Sequence, residues 1–238
     1  MPGLRLPSRK LLAGGGAQLL NVGTEAVNRV VGAPALVVNL TGRSARKRMR
    51  VCAIVLSAPA GDGHEPRPLA TESEVRDALA EADAMFRRQA NVELAWGEWP
   101  KVHFVAEPAP LAALDVDCGA KSVAQDLGEA GAYFRRTLAT VLGGSAPAAS
   151  SVTGYREAVG VFVVRDIAGK AGCSLGPLSD YVTVDRVRGP LIAHELGHCC
   201  GLWHTKDEGN LMLPAARFEA MTRMQVAIFR NSRHVTVR

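Results

Sequence analysis

The stretch HELGHCCGLWH, residues 194–204, constrains this chain more than any other feature of its sequence. An α-helix has about 3.6 residues per turn, so His194 and His198, four positions apart, project from one face. Two imidazoles placed in this way can bind one Zn²⁺, with nitrogen-to-metal distances of about 2.0–2.1 Å. Glu195 stands next to the first histidine, where a carboxylate can reach a water on the metal and act as a general base.

Gly201 and His204 complete the pattern. A glycine with positive φ commonly ends a helix, so Gly201 predicts a turn that brings His204 back towards the metal. Three protein ligands leave a fourth position open to water or substrate, which distinguishes a catalytic zinc site from a closed structural one. A bare H-E-x-x-H match also occurs in unrelated chains, and a single histidine on an apolar helix is usually packed or solvated. Here, however, five specified positions coincide.

These five positions match H-E-x-x-H-x-x-G-x-x-H, and the chain therefore resembles the metzincin zinc peptidases. The resemblance implies a shallow cleft between an upper sheet subdomain and a small lower subdomain. It also implies a Met-turn that supports the zinc ligands. Met212 is the candidate for this turn, although its interval from His204 is short. Some metzincins add a tyrosine just after the Met-turn, but Leu213 and Pro214 follow here, so no such ligand is expected.

The other sequence patterns predict an α/β (α+β), metzincin-like fold, with a twisted mixed sheet, a backing helix and a zinc-bearing active-site helix. An apolar run at residues 50–57 is typical of a buried strand. Thr71 and Glu74 form a capping-box pair, and apolar residues at helical spacing then predict a helix over residues 72–89. The segments VELAW and KVHFV predict short strands separated by a turn at residues 97–100.

Residues 106–158 interrupt this alternation and are interpreted as an insertion. Apolar spacing from Val123 to Val141 suggests one helix, although Gly128 and Gly131 weaken it. After the insertion, VGVFVV and DYVTVD predict strands ahead of the zinc helix. This order of elements is the one expected for a metzincin upper subdomain.

The C-terminal part completes the expected domain organisation. Thr222 and Gln225 suggest a capping box for a last helix that reaches about residue 231. The expected units are an N-terminal extension at residues 1–48, either a flexible arm or a cover over the cleft, and a catalytic domain at residues 49–238. Within the catalytic domain we expect an upper subdomain at about 49–201, with the insertion at about 106–158, and a lower subdomain at about 202–238.

Charge and hydropathy limit the other classes of function. The 28 Lys and Arg outnumber the 23 Asp and Glu, and part of this excess lies in RSARKRMR, residues 43–50. Such a run can meet phosphates or anionic lipid, but it is more often a solvated segment. Since no nucleic-acid module accompanies it, nucleic-acid binding is the weaker interpretation. No apolar run approaches the roughly 20 residues that cross a bilayer, so no transmembrane helix is expected.

The N-terminus gives no convincing signal peptide. Arg5, Arg9 and Lys10 precede LLAGGGAQLL, in which the triple glycine breaks the continuous apolar core that a signal peptide needs. Localisation is therefore left open between the cytoplasm and export by a route without a signal peptide.

Five cysteines cannot all pair within one chain. Cys199 and Cys200 lie on the zinc helix, away from the face of the two histidines, and are expected to be buried free thiols, which mildly favours a reducing compartment. Cys118, in DVDCGAK, raises a sharper hypothesis: a thiolate arm that occupies the fourth zinc position, as the pro-segment cysteine does in matrix metalloproteinases. The residues around Cys118 do not match that pro-segment.

The resemblance implies a zinc-dependent endopeptidase with one catalytic Zn²⁺ and a protein or peptide substrate. In the proteins that this chain resembles, an edge strand before the zinc helix pairs with the extended substrate. The candidate residues for this strand are Ala171, Gly172, Cys173, Ser174 and Leu175. Two rival interpretations remain: a catalytically silent zinc-binding interaction module, against which the intact Glu195 argues, and a basic nucleic-acid-associated protein.

Overall fold

A computed structural model describes residues 9–31, 45–59, 65–96, 102–118, 122–143, 158–215 and 219–237. Its helices are α1 (Arg9–Val31), α2 (Glu72–Ala90), α3 (Leu111–Leu114), α4 (Ser122–Leu127), α5 (Glu129–Val141), α6 (Gly189–Cys199) and α7 (Arg223–Arg230), with a 3₁₀ turn at Gly176–Leu178. Its strands are β1 (Lys47–Ala58), β2 (Arg67–Pro68), β3 (Val92–Ala95), β4 (Val102–Pro108), β5 (Asp115–Val116), β6 (Val159–Val163), β7 (Asp166–Ile167), β8 (Gly172–Ser174), β9 (Tyr181–Val184) and β10 (Val235–Val237). The turn predicted at residues 97–100 lies outside the described residues.

The fold is mixed α/β, and its main sheet has the strand order β10-β1-β6-β9-β8, with β2, β3 and β4 also paired to β1. The strands β6 and β9 run parallel to each other, whereas β8 is antiparallel to β9. In the described part of the chain, β8 stands at the end of this order with a strand neighbour on one side only. The strand at this end of the sheet, β8, is therefore antiparallel to its neighbour, and it precedes α6 in the chain.

Strand β1 is buried on both faces, which explains its continuous apolar run. Val51, Ala53 and Val55 pack on one face together with residues of α2 and α6. Cys52 and Ile54, which alternate with them, pack on the other face against residues of α3 and α5. The sheet thus separates two apolar cores, and α6 lies in the same layer as α2.

The two predicted capping boxes are confirmed. Thr71 caps α2 and exchanges hydrogen bonds with Glu74, and Thr222 caps α7 in the same way with Gln225. In contrast, the single helix expected from Val123 to Val141 is wrong, because the chain forms α4 and α5 with a break at Gly128. A Cβ at Gly131 would lie 1.9 Å from the Asp126 carbonyl oxygen, so the two helices meet too closely for any larger residue there.

Cys118 forms a disulfide with Cys173, which ties the insertion to β8. Cys199 and Cys200 are buried free thiols, so the expectation for these two cysteines is confirmed, and Cys52 is also buried. The disulfide consumes the Cys118 thiol and removes the basis for the inhibitory-thiolate hypothesis.

The N-terminal extension contains α1, and β1 already begins at Lys47. Helix α1 contacts the 3₁₀ turn, α4 and α5. The start of the basic run lies outside the described residues. Its later part is engaged with the fold, since Arg46 pairs with Glu93 and Lys47 donates to the Arg230 carbonyl. Among the described residues, no helix combines the length and the hydropathy needed to cross a membrane.

Candidate metal centre

Helix α6 begins against the backing helix α2. The Gly189 N–H donates to Glu81 Oε2 at 3.1 Å, and a negative carboxylate is favourable at a helix N-terminus. A Cβ added at Gly189 would lie 2.5 Å from Glu81 Cβ, so this approach requires glycine. The start of α6 is thereby fixed on α2, and the helix then carries its histidines and Glu195 past β8 and β9.

The three histidines of the motif converge on one point. The Nε2 atom of His198 lies 3.1 Å from that of His194 and 3.0 Å from that of His204. The remaining pair, His194 and His204, is separated by 3.2 Å. This group is compatible with a single metal ion. It brings together the three residues that the sequence predicted as ligands.

Backbone carbonyls orient two of the imidazoles. His194 Nδ1 lies 2.8 Å from the Leu211 carbonyl oxygen, and His198 Nδ1 lies 2.8 Å from that of Leu202. Because a carbonyl can only accept, each Nδ1 carries the proton and each Nε2 keeps a free lone pair. Two such lone pairs, facing each other at about 3 Å, repel unless a cation lies between them. The arrangement therefore fits a metal ion better than an empty histidine cluster.

Burial keeps all three imidazoles neutral, as metal ligands must be. It lowers the pKa of His194 and His204, and it lowers the pKa of His198 to about 4. The nearby ammonium of Lys170 adds to this effect on His198 and His204. Protons therefore compete less with a metal for these imidazoles than for exposed histidines.

Gly201 makes the predicted turn. Its φ is 84°, a left-handed conformation that favours glycine, and α6 has ended at Cys199. Its N–H donates to the His198 carbonyl at 2.8 Å, while the Leu202 N–H donates to the Gly197 carbonyl at 3.0 Å. The chain reverses over these bonds, which is how His204 reaches the other two histidines.

Met212 lies directly beneath α6. It is fully buried, and its sulfur would be 2.8 Å from a Cβ added at Gly197, between the two histidines of the helix. Its carbonyl accepts a hydrogen bond from the Thr205 N–H at 3.1 Å, just after His204. Met212 therefore occupies a supporting position under the ligands without contributing a ligand atom itself.

Glu195 is buried against β8. Only 4% of its surface is exposed, and a Cβ added at Gly172 would lie 2.3 Å from its Oε1 atom. Burial raises the pKa of Glu195 to about 8, while the positive charge of Lys170 acts in the opposite direction. Of the five candidate residues at positions 171–175, Gly172 is thus the one shown to face this carboxylate.

Sequence reasoning missed three features of the site. Lys170, next to the candidate edge strand, places a positive charge near Glu195, His198 and His204. Trp203 leaves 86% of its surface exposed beside His204. The position of Lys170 just before residues 171–175 was the available signal for it. An exposed tryptophan has no sequence signal, because its burial depends on the fold.

The third missed feature joins the site to α7. The Asn210 side chain accepts from the Met212 N–H at 2.9 Å and exchanges two hydrogen bonds with the Gln225 amide, at 2.9 and 3.1 Å. Gln225 therefore both caps α7 and holds the loop that carries Leu211 and Met212. The capping pattern indicated only the first of these roles.

No protein-family model matches the chain, and a search of curated protein sequences finds no match either.

Proposed function

We propose that this protein is a zinc-dependent endopeptidase of metzincin type. The single observation that carries the proposal is the convergence of three imidazole Nε2 atoms, 3.0–3.2 Å apart, on the helix whose next residue after His194 is the buried Glu195. Metal-to-nitrogen distances of about 2.0–2.1 Å, as in protein zinc sites, suit nitrogens at these separations. An all-imidazole donor set that leaves one position free also agrees with catalytic zinc.

A bound zinc ion would supply Lewis acidity, polarising the scissile carbonyl and lowering the pKa of a water towards neutrality. His194, His198 and His204 would hold the ion, and the carbonyls of Leu211 and Leu202 keep the rings of His194 and His198 in the tautomer that presents Nε2. A cation bound by His194 would favour the ionised form of the adjacent Glu195 carboxylate and would offset the effect of burial on its pKa.

Glu195 is the proposed general base. Its carboxylate takes a proton from the attacking water and passes it to the leaving amine. Burial raises the pKa of Glu195 to about 8, and a carboxyl with a pKa near neutrality can both accept and return a proton efficiently. The charge of Lys170 keeps this pKa from rising further.

The substrate is proposed to pair with β8 by main-chain hydrogen bonds. This strand ends the order of the sheet in the described part of the chain, and its Gly172 faces Glu195. The disulfide from Cys173 to Cys118 holds the strand in place. Backbone pairing gives affinity with little sequence preference, so Lys170 and Trp203 are the side chains proposed to contact the substrate near the metal.

Cleavage of a peptide library, measured with and without a chelator, tests the proposed activity. We expect about one zinc ion per chain by metal analysis, peptide cleavage that chelation abolishes, and recovery when zinc is restored. Carefully purified, folded protein that contains no zinc and takes none up would contradict the proposal. The pattern of cleaved peptides would also define the substrate preference.

The close contact between β8 and Glu195 makes Gly172→Ala a specific probe of the base. The added methyl group must displace the carboxylate, since it would lie 2.3 Å from Oε1. We expect cleavage to fall by roughly tenfold or more while zinc content stays unchanged, because a misplaced catalytic group costs rate without removing a ligand. Gly23→Ala in α1 is the matched control, as a Cβ there meets open space. Equal cleavage by the two variants would show that Gly172 does not position Glu195.

A further inference from the structure

Helix α1 packs on the protein with its polar side. Its inner face consists of Gln18, Asn21, Glu25 and Arg29, which lie on one side of the helix through spacings of three and four residues. Gln18 donates to Asp126 Oδ2 at 2.6 Å, and Asn21 donates to the Leu178 carbonyl at 3.0 Å. These bonds hold the middle of the helix against α4 and the 3₁₀ turn.

The end of α1 is bound still more firmly by charged groups. Glu25 accepts from the Arg233 N–H at 3.0 Å and pairs with Arg29 at 2.7 Å. Arg29 also donates to the Cys200 carbonyl at 2.7 Å, at the end of α6. A positive side chain is favourable at a helix C-terminus. The inner face thus fixes α1 to the helix that carries the metal centre.

The opposite side of α1 is apolar and faces outwards. This outer face consists of Leu19, Leu20, Val22, Val27 and Val30. Leu19 and Val30 are each 76% exposed, and Val27 is 63% exposed. Amphipathic helices normally turn their apolar side towards the core, whereas α1 turns its apolar side towards solvent. A contiguous exposed apolar patch of this kind marks a site of interaction.

The distribution of charge indicates the partner. Nine of the 28 basic residues, but only one of the 23 acidic residues, fall within the first 50 positions. The remaining 19 basic residues are outnumbered by 22 acidic ones. The one acidic residue is Glu25, which belongs to the inner face and is bound there by Arg29 and by the Arg233 N–H. Arg29, Arg46 and Lys47 are themselves bound to the fold. Helix α1 nevertheless belongs to the most basic part of the sequence and begins with two basic residues, Arg9 and Lys10.

We propose that the outer face of α1 docks on an anionic lipid bilayer, with the helix lying along the surface. Aliphatic side chains can enter the acyl boundary while nearby Lys and Arg approach anionic headgroups, which is how interfacial helices bind. A second copy of the chain would bring two positive regions together. A nucleic acid would satisfy the charge but leave the aliphatic side chains in water. The bilayer is the partner that satisfies both properties.

Sedimentation of the full chain with vesicles tests this proposal. We expect binding to vesicles of equimolar phosphatidylglycerol and phosphatidylcholine, little binding to phosphatidylcholine alone, and weakening by added salt. The triple variant Leu19→Gln/Val27→Gln/Val30→Gln should lower the partition coefficient by roughly 10- to 100-fold, because three aliphatic contacts with lipid are lost. Circular dichroism and metal content should match the wild type.

The control variant is Leu111→Gln/Met224→Gln/Val237→Gln, which changes three apolar side chains that are 63%, 54% and 65% exposed elsewhere. It should bind vesicles like the wild type. The proposal would be overturned if the outer-face variant bound anionic vesicles as well as the wild type does. It would also be overturned if the wild type failed to bind them. A dimer that the outer-face variant dissociates, without vesicle binding, would assign the face to a second copy. Salt-sensitive duplex binding without vesicle binding would assign the basic region to nucleic acid.

Discussion

Replacing Glu195 by Gln is expected to leave a folded, zinc-loaded protein that cleaves peptides roughly 10²- to 10⁴-fold more slowly, the usual cost of losing a general base. Glutamine keeps the size and the hydrogen-bonding capacity of the side chain but cannot take the proton from water. The site should otherwise persist, because the three imidazoles are held by Leu211, Leu202 and the turn at Gly201 rather than by this carboxylate.

Steady-state cleavage and metal analysis of the same preparation check this result. Glu208→Gln is the matched control, since it makes the same chemical change at an exposed position of the loop after His204, and it should retain wild-type activity. A folded, zinc-loaded Glu195→Gln protein with wild-type cleavage would falsify the proposed mechanism. If the protein were instead a silent zinc module or a nucleic-acid-associated protein, its binding would be indifferent to the substitution.

Changing His194, His198 or His204 to Ala should have a different outcome. Each substitution removes one of three converging Nε2 atoms, so zinc content should fall well below one ion per chain and cleavage should fall at least as far as in Glu195→Gln. Metal analysis after extensive dialysis, with cleavage measured in parallel, checks this expectation. His103→Ala, a change in β4, is the control and should keep both properties.

The contrast between the two sets of variants separates chemistry from metal binding. Histidine variants are expected to lose zinc and activity together, whereas the glutamate variant loses only activity. Full zinc occupancy in all three histidine variants would show that the ligand assignment is wrong. Added zinc should restore little activity to them, because a two-histidine site binds the ion weakly.

Local patterns predicted much of the fold. The capping boxes at Thr71 and Thr222 were recognisable because each is formed within four residues. The strands of the central sheet were recognisable because burial on both faces requires uninterrupted apolar residues. The convergence of the histidines was also predictable, since it depends on helical periodicity and on one glycine turn at Gly201.

Other features depend on contacts between distant segments and left no local pattern. Strands β3 and β4 both pair with β1 in parallel, which their own sequences do not indicate. The pairing of Cys118 with Cys173 spans 55 positions. In α1, apolar residues recur at helical spacing from Leu19 to Val30, but amphipathic helices usually turn such residues inwards. The polar side of α1 faces inwards because its residues hydrogen-bond to Asp126 and Arg233, which lie far along the chain.

Strand β1 makes the completion of the sheet depend on a segment far along the chain. Its first half pairs with both β3 and β10, at residues 47–50 and 47–49, and its second half pairs with β4 and β6. The strand at the middle of the sheet therefore stays incomplete until residues 235–237 have been synthesised. Contacts of such long sequence separation close late and slowly. Until then, the first half of β1 in a nascent chain would be open on the side that β10 later covers, and chaperone protection during synthesis would have its greatest effect there.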